Sequence, residues 1–176
     1  GVTFINMYQI IFQDCNFSLN QARQDNSMSR PNQLNKDSYY NGDGGAIQLG
    51  YNCKTNDILV DFEHCYFENN KAQRHGGALA IQTLNNVIIN DCTFSNNLAN
   101  YDFDKLTSSE LLVENHFDKK KNGKGGAIYI NSVYTYDDQS NNCQSPNSYL
   151  PEISISICNF RSNNAHDGYA IYIEGD

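Results

Sequence analysis

A two-part pattern, C-x-F-x-x-N-x-A followed after a gap by G-G-A-[IL]-x-[IL], recurs four times in the same order along this chain. The first part is carried by Cys15, Phe17, Asn20 and Ala22; by Cys65, Phe67, Asn70 and Ala72; by Cys92, Phe94, Asn97 and Ala99; and by Cys158, Phe160, Asn163 and Ala165. The second part follows as Gly44-Gly45-Ala46-Ile47, Gly76-Gly77-Ala78-Leu79, Gly125-Gly126-Ala127-Ile128 and Gly168-Tyr169-Ala170-Ile171, the last with Tyr in place of the second Gly. A repeat too short to bury its own apolar face must stack on its neighbours, so the architecture is quasi-one-dimensional.

Cys65 and Cys92 are 27 residues apart, an interval with little room for insertions, which gives the bare period. Apolar residues alternate before each Cys (Ile10 and Phe12, Val60 and Phe62, Val87 and Ile89, Ile153 and Ile155) and again after each Gly pair (Ile47 and Leu49, Leu79 and Ile81, Ile128 and Ile130, Ile171 and Ile173). Alternation marks strands with one face inside. The Cys and Phe of C-x-F make a third short run. Between Ile89 and Cys92 the alternation slips by one residue, and a bend at Asn90-Asp91 returns both runs to the interior. Three short strands per turn of chain predict an all-β parallel β-helix, or solenoid, of four coils that rise about 4.8 Å each.

Residues 1–176 then read as one β-helix segment, with coils centred on Cys15, Cys65, Cys92 and Cys158 and three polar inserts at about 23–43, 100–124 and 132–150. Beginning at Gly1, the chain is expected to be part of a longer protein. Its formal net charge is -8, and Lys119-Lys120-Lys121 with Lys124 is its one basic cluster, so a nucleic-acid partner is not expected. No apolar stretch is long enough to cross a membrane as a helix.

Stacking assigns physical roles to the repeated residues. Asn20, Asn70, Asn97 and Asn163 fall at one corner and are expected to form an amide ladder. Phe17, Phe67, Phe94 and Phe160 should stack inside. Glycine at the next corner permits a positive φ or close backbone approach. At Tyr169 that corner is altered, as at a local end of the stack or against a neighbour.

The ordered FxxN and GGA[IL] pairs resemble the repeats of polymorphic outer-membrane proteins, and the likeness extends over all four coils. The resemblance implies a right-handed parallel β-helix displayed outside the cell, at the cell surface or secreted, often adhesive and without enzymatic activity or cofactor. Open coil ends expose unpaired strands. The expected partners are therefore further coils of the same chain or a second copy, as in a rod or filament, together with glycans or cell-surface proteins.

The alternatives are a carbohydrate-active β-helix enzyme, lyase-like or hydrolase-like, and a glycan-binding module. An enzyme needs carboxylates and basic groups converging on an outward face, and the outward strand positions of adjacent coils bring no two carboxylates, and no carboxylate and Arg, together. Asp102, Asp104, Asp137 and Asp138 in the inserts are the remaining acidic candidates. They could take Ca2+, although no EF-hand or nonapeptide spacing supports it. Tyr129 and Tyr172 fall on one outward column with Gln48 and Ala80, an arrangement that suits cross-coil packing under an insert or, for binding, a sugar or protein platform. His75 and His166 are read as residues of equivalent turns. The Cys ladder is expected to hold free thiols, with Cys15–Cys65 or Cys65–Cys92 as the alternative bridges, while Cys53 and Cys143, both off the motif, are a further candidate disulfide pair. No metal-ligand spacing is present. Asn16-Phe17-Ser18 is an N-glycosylation sequon on an outward Asn.

Overall fold

The computed structural model describes residues 9–23, 43–49, 59–82, 86–99, 123–131 and 152–174. Coil one is built from β1 (Gln9–Gln13), β2 (Asn16–Ser18), β3 (Gln21–Ala22) and β4 (Ile47–Leu49). Coil two has β5 (Leu59–Glu63), β6 (Tyr66–Glu68), β7 (Lys71–Ala72) and β8 (Leu79–Gln82); coil three has β9 (Asn86–Asn90), β10 (Thr93–Ser95), β11 (Leu98–Ala99) and β12 (Ile128–Asn131). Coil four has β13 (Ile153–Ser156), β14 (Asn159–Arg161) and β15 (Ile171–Glu174).

Equivalent strands pair in parallel from coil to coil, giving the sheets β1-β5-β9-β13, β2-β6-β10-β14, β3-β7-β11 and β4-β8-β12-β15. The register follows the repeat: Phe17 pairs with Phe67, Phe67 with Phe94 and Phe94 with Phe160. The molecule is a parallel β-helix of four stacked coils.

Three strands per coil are expected from the sequence, and the first three coils have four. The additional strand, β3, β7 or β11, is two residues long and ends on the repeat's Ala. Two residues are too few to register as an alternation. Its existence follows from the corner before it, where the chain resumes an extended course with the Ala side chain inside. Ala72 and Ala99 are fully buried. In coil four a single bridge, Leu98 to Asn164, stands in its place.

Among the described residues, three equivalent turn positions in each coil have positive φ. Asp14, His64, Asp91 and Ile157 form the first set; Leu19, Asn69, Asn96 and Ser162 the second; Gly44, Gly76, Gly125 and Gly168 the third. The first set is the bend that restores inward alternation. Just after it, the thiols of Cys65, Cys92 and Cys158 reach back to Phe12 O (3.3 Å), Phe62 O (3.5 Å) and Ile89 O (3.6 Å) of the preceding coil. A small side chain with a weak donor suits this place.

Inside, rings stack in columns. Phe17 and Phe67 are 4.8 Å apart, Phe67 and Phe94 4.7 Å, Phe94 and Phe160 5.0 Å, with near-parallel planes. Phe12 and Phe62 begin a second column at 5.0 Å, which continues through Ile89 and Ile155 by register. Coils two and three are buried from both sides, while Phe12, Phe17, Ile153 and Phe160 at the ends are only partly covered.

The second corner carries the amide ladder. Asn70 Oδ1 accepts from the backbone N–H of Asn20 (3.1 Å) and from its side-chain amide (2.9 Å). Asn97 serves Asn70 in the same way, and Asn163 serves Asn97. The amides of Asn70, Asn97 and Asn163 also donate to the carbonyls of Phe17, Phe67 and Phe94. Thus Asn satisfies corner backbone groups that no strand ladder reaches, and Asn70 and Asn97 do so fully buried.

A candidate binding site outside the glycine corner

The residue just before each corner Gly is ionisable in every coil: Asp43, His75, Lys124 and Asp167. Backbone bonds hold these positions in line, with Gly44 N donating to His75 O at 2.9 Å, Gly76 N to Lys124 O at 2.9 Å and Gly125 N to Asp167 O at 2.9 Å. The corner thus projects a column of charged and polar side chains beside the outer face of the β4-β8-β12-β15 sheet.

Asp43 has a fully buried side chain with Arg74 Nε 3.7 Å from its Oδ1, and the same oxygen accepts the backbone N–H of His75 at 3.2 Å. The buried His75 ring stacks on Tyr129 with centroids 4.6 Å apart, and its Nδ1 accepts the Lys124 backbone N–H at 3.3 Å. Lys124 Nζ donates to Glu174 Oε1 at 2.6 Å and lies 4.8 Å from the centre of the Tyr172 ring. The Tyr129 hydroxyl donates to the other Glu174 oxygen.

The electrostatics follow from burial and neighbours. Burial lowers the pKa of His75 to about 4, helped by the positive charges of Arg74 and Lys124, so the ring is neutral at pH 7. Burial, and then the Glu174 carboxylate, raise the Tyr129 phenol. Burial alone would raise Glu174, but hydrogen bonds from Lys124 and Tyr129 outweigh it and lower its pKa. Burial likewise opposes the charge on Lys124, and Glu174 outweighs it, raising Lys124. The cluster is an ionic network whose charges are matched internally.

This arrangement decides between the two readings of the tyrosine column and corrects other expectations. Tyr129 is 3% exposed, covered by His75 and tied to Glu174, so it is no exposed platform. Strand alternation assigns a side chain to the outside of the sheet without saying what lies over it. Tyr172 is half-buried, 6.3 Å from Tyr129 between ring centres. Gln48 is exposed on the same column, but buried Ala80 separates it from Tyr129. His166 is not the equivalent of His75: Asp167 takes that position, and His166 Nδ1 lies 3.1 Å from its Oδ1.

The absence of a carboxylate beside Arg holds for strand positions among the described residues but not for the corner, where Asp43 meets Arg74. Asp43 and Lys124, assigned from sequence to inserts, belong to this corner because its geometry begins before the glycines. The sequence signal that would have found the cluster is the ionisable residue preceding each corner Gly.

Asn16 is exposed on β2. Cys15, Cys65, Cys92 and Cys158 are free thiols. Cys53, Cys143, Asp102, Asp104, Asp137 and Asp138 lie outside the described residues. Among the described residues no group of three or more His, Cys, Asp or Glu side chains is arranged to hold a metal ion, and no helix is long and apolar enough to cross a membrane.

Segments 64–82 and 91–131 match the family model described as the Chlamydia polymorphic membrane protein repeat. These two segments carry polymorphic membrane protein repeats. The matched segments hold the Cys-to-Ala and glycine-corner parts of coils two and three, where the amide and Phe ladders are fully buried. No curated protein and no solved structure matches the chain significantly. In structural terms the polymorphic membrane protein repeat here is one coil of a parallel β-helix, its FxxN the core ring and amide rung, its GGA the opposite corner.

Proposed function

We propose that this chain is a non-enzymatic structural segment of an extracellular surface protein, a β-helix rod that carries adhesive surface on its outward columns and inserts. The observation that supports it best is the use made of the repeated residues. Phe, Asn, Cys and Gly of the motif are all consumed in holding one coil on the next. The ionisable cluster beside them is paired within itself rather than aimed at solvent. A polysaccharide lyase or hydrolase needs an acid and a base facing its substrate; here the phenol and the ammonium are both engaged by Glu174.

A glycan-binding role is a second reading, favoured by Tyr172, which keeps part of its ring open beside Lys124. The experiment has two arms. The chain is incubated with acidic and neutral polysaccharides and chain cleavage is followed, and it is applied to a glycan array and to cultured cells. The rod-and-adhesion reading expects cell binding without cleavage. Cleavage lost in Glu174→Gln would replace it with the enzyme reading, and array binding lost in Tyr172→Ala would assign the adhesion to glycan.

A further inference from the structure

The two corner glycines answer different needs. The first, as at Gly76, has φ +63, which itself favours glycine. The second has no such φ. At Gly77 a Cβ would lie 2.5 Å from Leu98 N and 2.8 Å from Leu98 C, with the carbonyl of Gly126 closer still. At Gly126 it would lie 2.6 Å from Asn164 N and 2.9 Å from Asn164 C, with the carbonyl of Tyr169 closer still. All of these atoms belong to the next coil, and real Cβ atoms essentially never come within 3.0 Å of such neighbours. The second glycine is therefore a clearance for the coil that follows.

In coil four this position is Tyr169. The register is unbroken, because Gly126 N donates to Gly168 O at 3.0 Å as Gly77 N does to Gly125 O at 3.1 Å. Tyr169 is 71% exposed. We propose that Tyr169 is a stop residue: no coil of this geometry, from this chain or a second copy, stacks in register on coil four. The device is one-sided. Gly45 clears the way for coil two, and among the described residues of coil one's corner none directs a Cβ toward a coil preceding it. A rod built from this segment therefore extends in register only from its coil-one face, and head-to-tail stacking of copies through coil four is closed. Segments of other geometry are unaffected.

Two extended chains test this, each carrying residues 83–85 and a second copy of 59–82 after Glu174, one with Tyr169 and one with Tyr169→Gly. Amide hydrogen exchange is read in the added coil. Protection is expected only with Tyr169→Gly; protection in both chains, or in neither, overturns the proposal. The reciprocal variant, Gly126→Tyr in the unextended chain, should strip protection from β14 and β15 while β5 and β6 keep theirs. A fully protected coil four in that variant would also overturn it.

Discussion

Asn97 Oδ1 accepts two hydrogen bonds from Asn70, one from its backbone N–H and one from its side-chain amide, each at 3.0 Å, while the Asn97 amide reaches back 2.9 Å to the carbonyl of Phe67. A single fully buried side chain thus ties three polar groups of coil two to coil three. Asn97→Leu keeps the volume and strands those groups. Each stranded buried group costs about 1–3 kcal/mol, so a loss of at least about 3 kcal/mol is expected in urea unfolding. Asn20→Ala, on the partly open coil-one rung, should cost about 1 kcal/mol or less. Equal losses at the two positions would contradict the ladder's role in burying the corner.

The second glycine of the corner gives a stability test of clearance. Gly77→Ala forces its Cβ against Leu98 and Gly126 backbone, which cannot swing aside as a side-chain tip can. Overpacking of this kind costs about 1–3 kcal/mol or more, and a fall in melting temperature is the expected outcome. Tyr169→Ala, at the equivalent place in coil four, should change stability by no more than about 0.5 kcal/mol, as exposed substitutions usually do. A neutral Gly77→Ala would show that coil spacing is softer than the corner contacts imply.

His75 makes stability depend on pH. Its pKa is lowered from 6.5 to about 4 in the fold, so the unfolded chain binds the proton more readily. Stability contributed by the neutral ring is complete above pH 6.5 and is lost as pH falls through the window from 6.5 to about 4. By pH 5 the loss amounts to about 2 kcal/mol, at about 1.4 kcal/mol per pH unit once the unfolded residue is protonated. His75→Gln should remove that slope between pH 7 and pH 5 while leaving the contributions of other groups. Parallel wild-type and variant curves in urea melts at the two pH values would refute the assignment.

The four-coil stack was legible because its interior is written in columns. Phe17, Phe67, Phe94 and Phe160 occur at matching places in the repeat, and matching places pair in register. The Asn column was legible for the same reason. What escaped was whatever depends on how corners and outer faces are covered. The two-residue strands β3, β7 and β11 are too short to leave a pattern. The pairing of Asp43 with Arg74 joins residues of different coils at positions that are not equivalent in the repeat, so matching places along the chain give no hint of it. Tyr129 shares an outward column with Tyr172, but its burial depends on the His75 ring laid over it from the neighbouring coil.

The bend before the Cys column offers a place to stabilise the fold. Asp14, His64 and Asp91 occupy it with φ values of 52°, 52° and 49°, and coil four has Ile157 there with φ 55°. Asp and other short polar residues visit the left-handed region most readily, whereas a β-branched side chain crowds the backbone. Ile157 is also 79% exposed, so little apolar burial offsets the strain. Such strain costs about 1–3 kcal/mol. Ile157→Asn should therefore raise stability by about 1 kcal/mol, seen as a higher urea midpoint at unchanged slope. Ile157→Val retains the β-branch and should leave the midpoint where it is. A gain from Val equal to that from Asn would mean that lost surface hydrophobicity, not relieved backbone strain, is responsible.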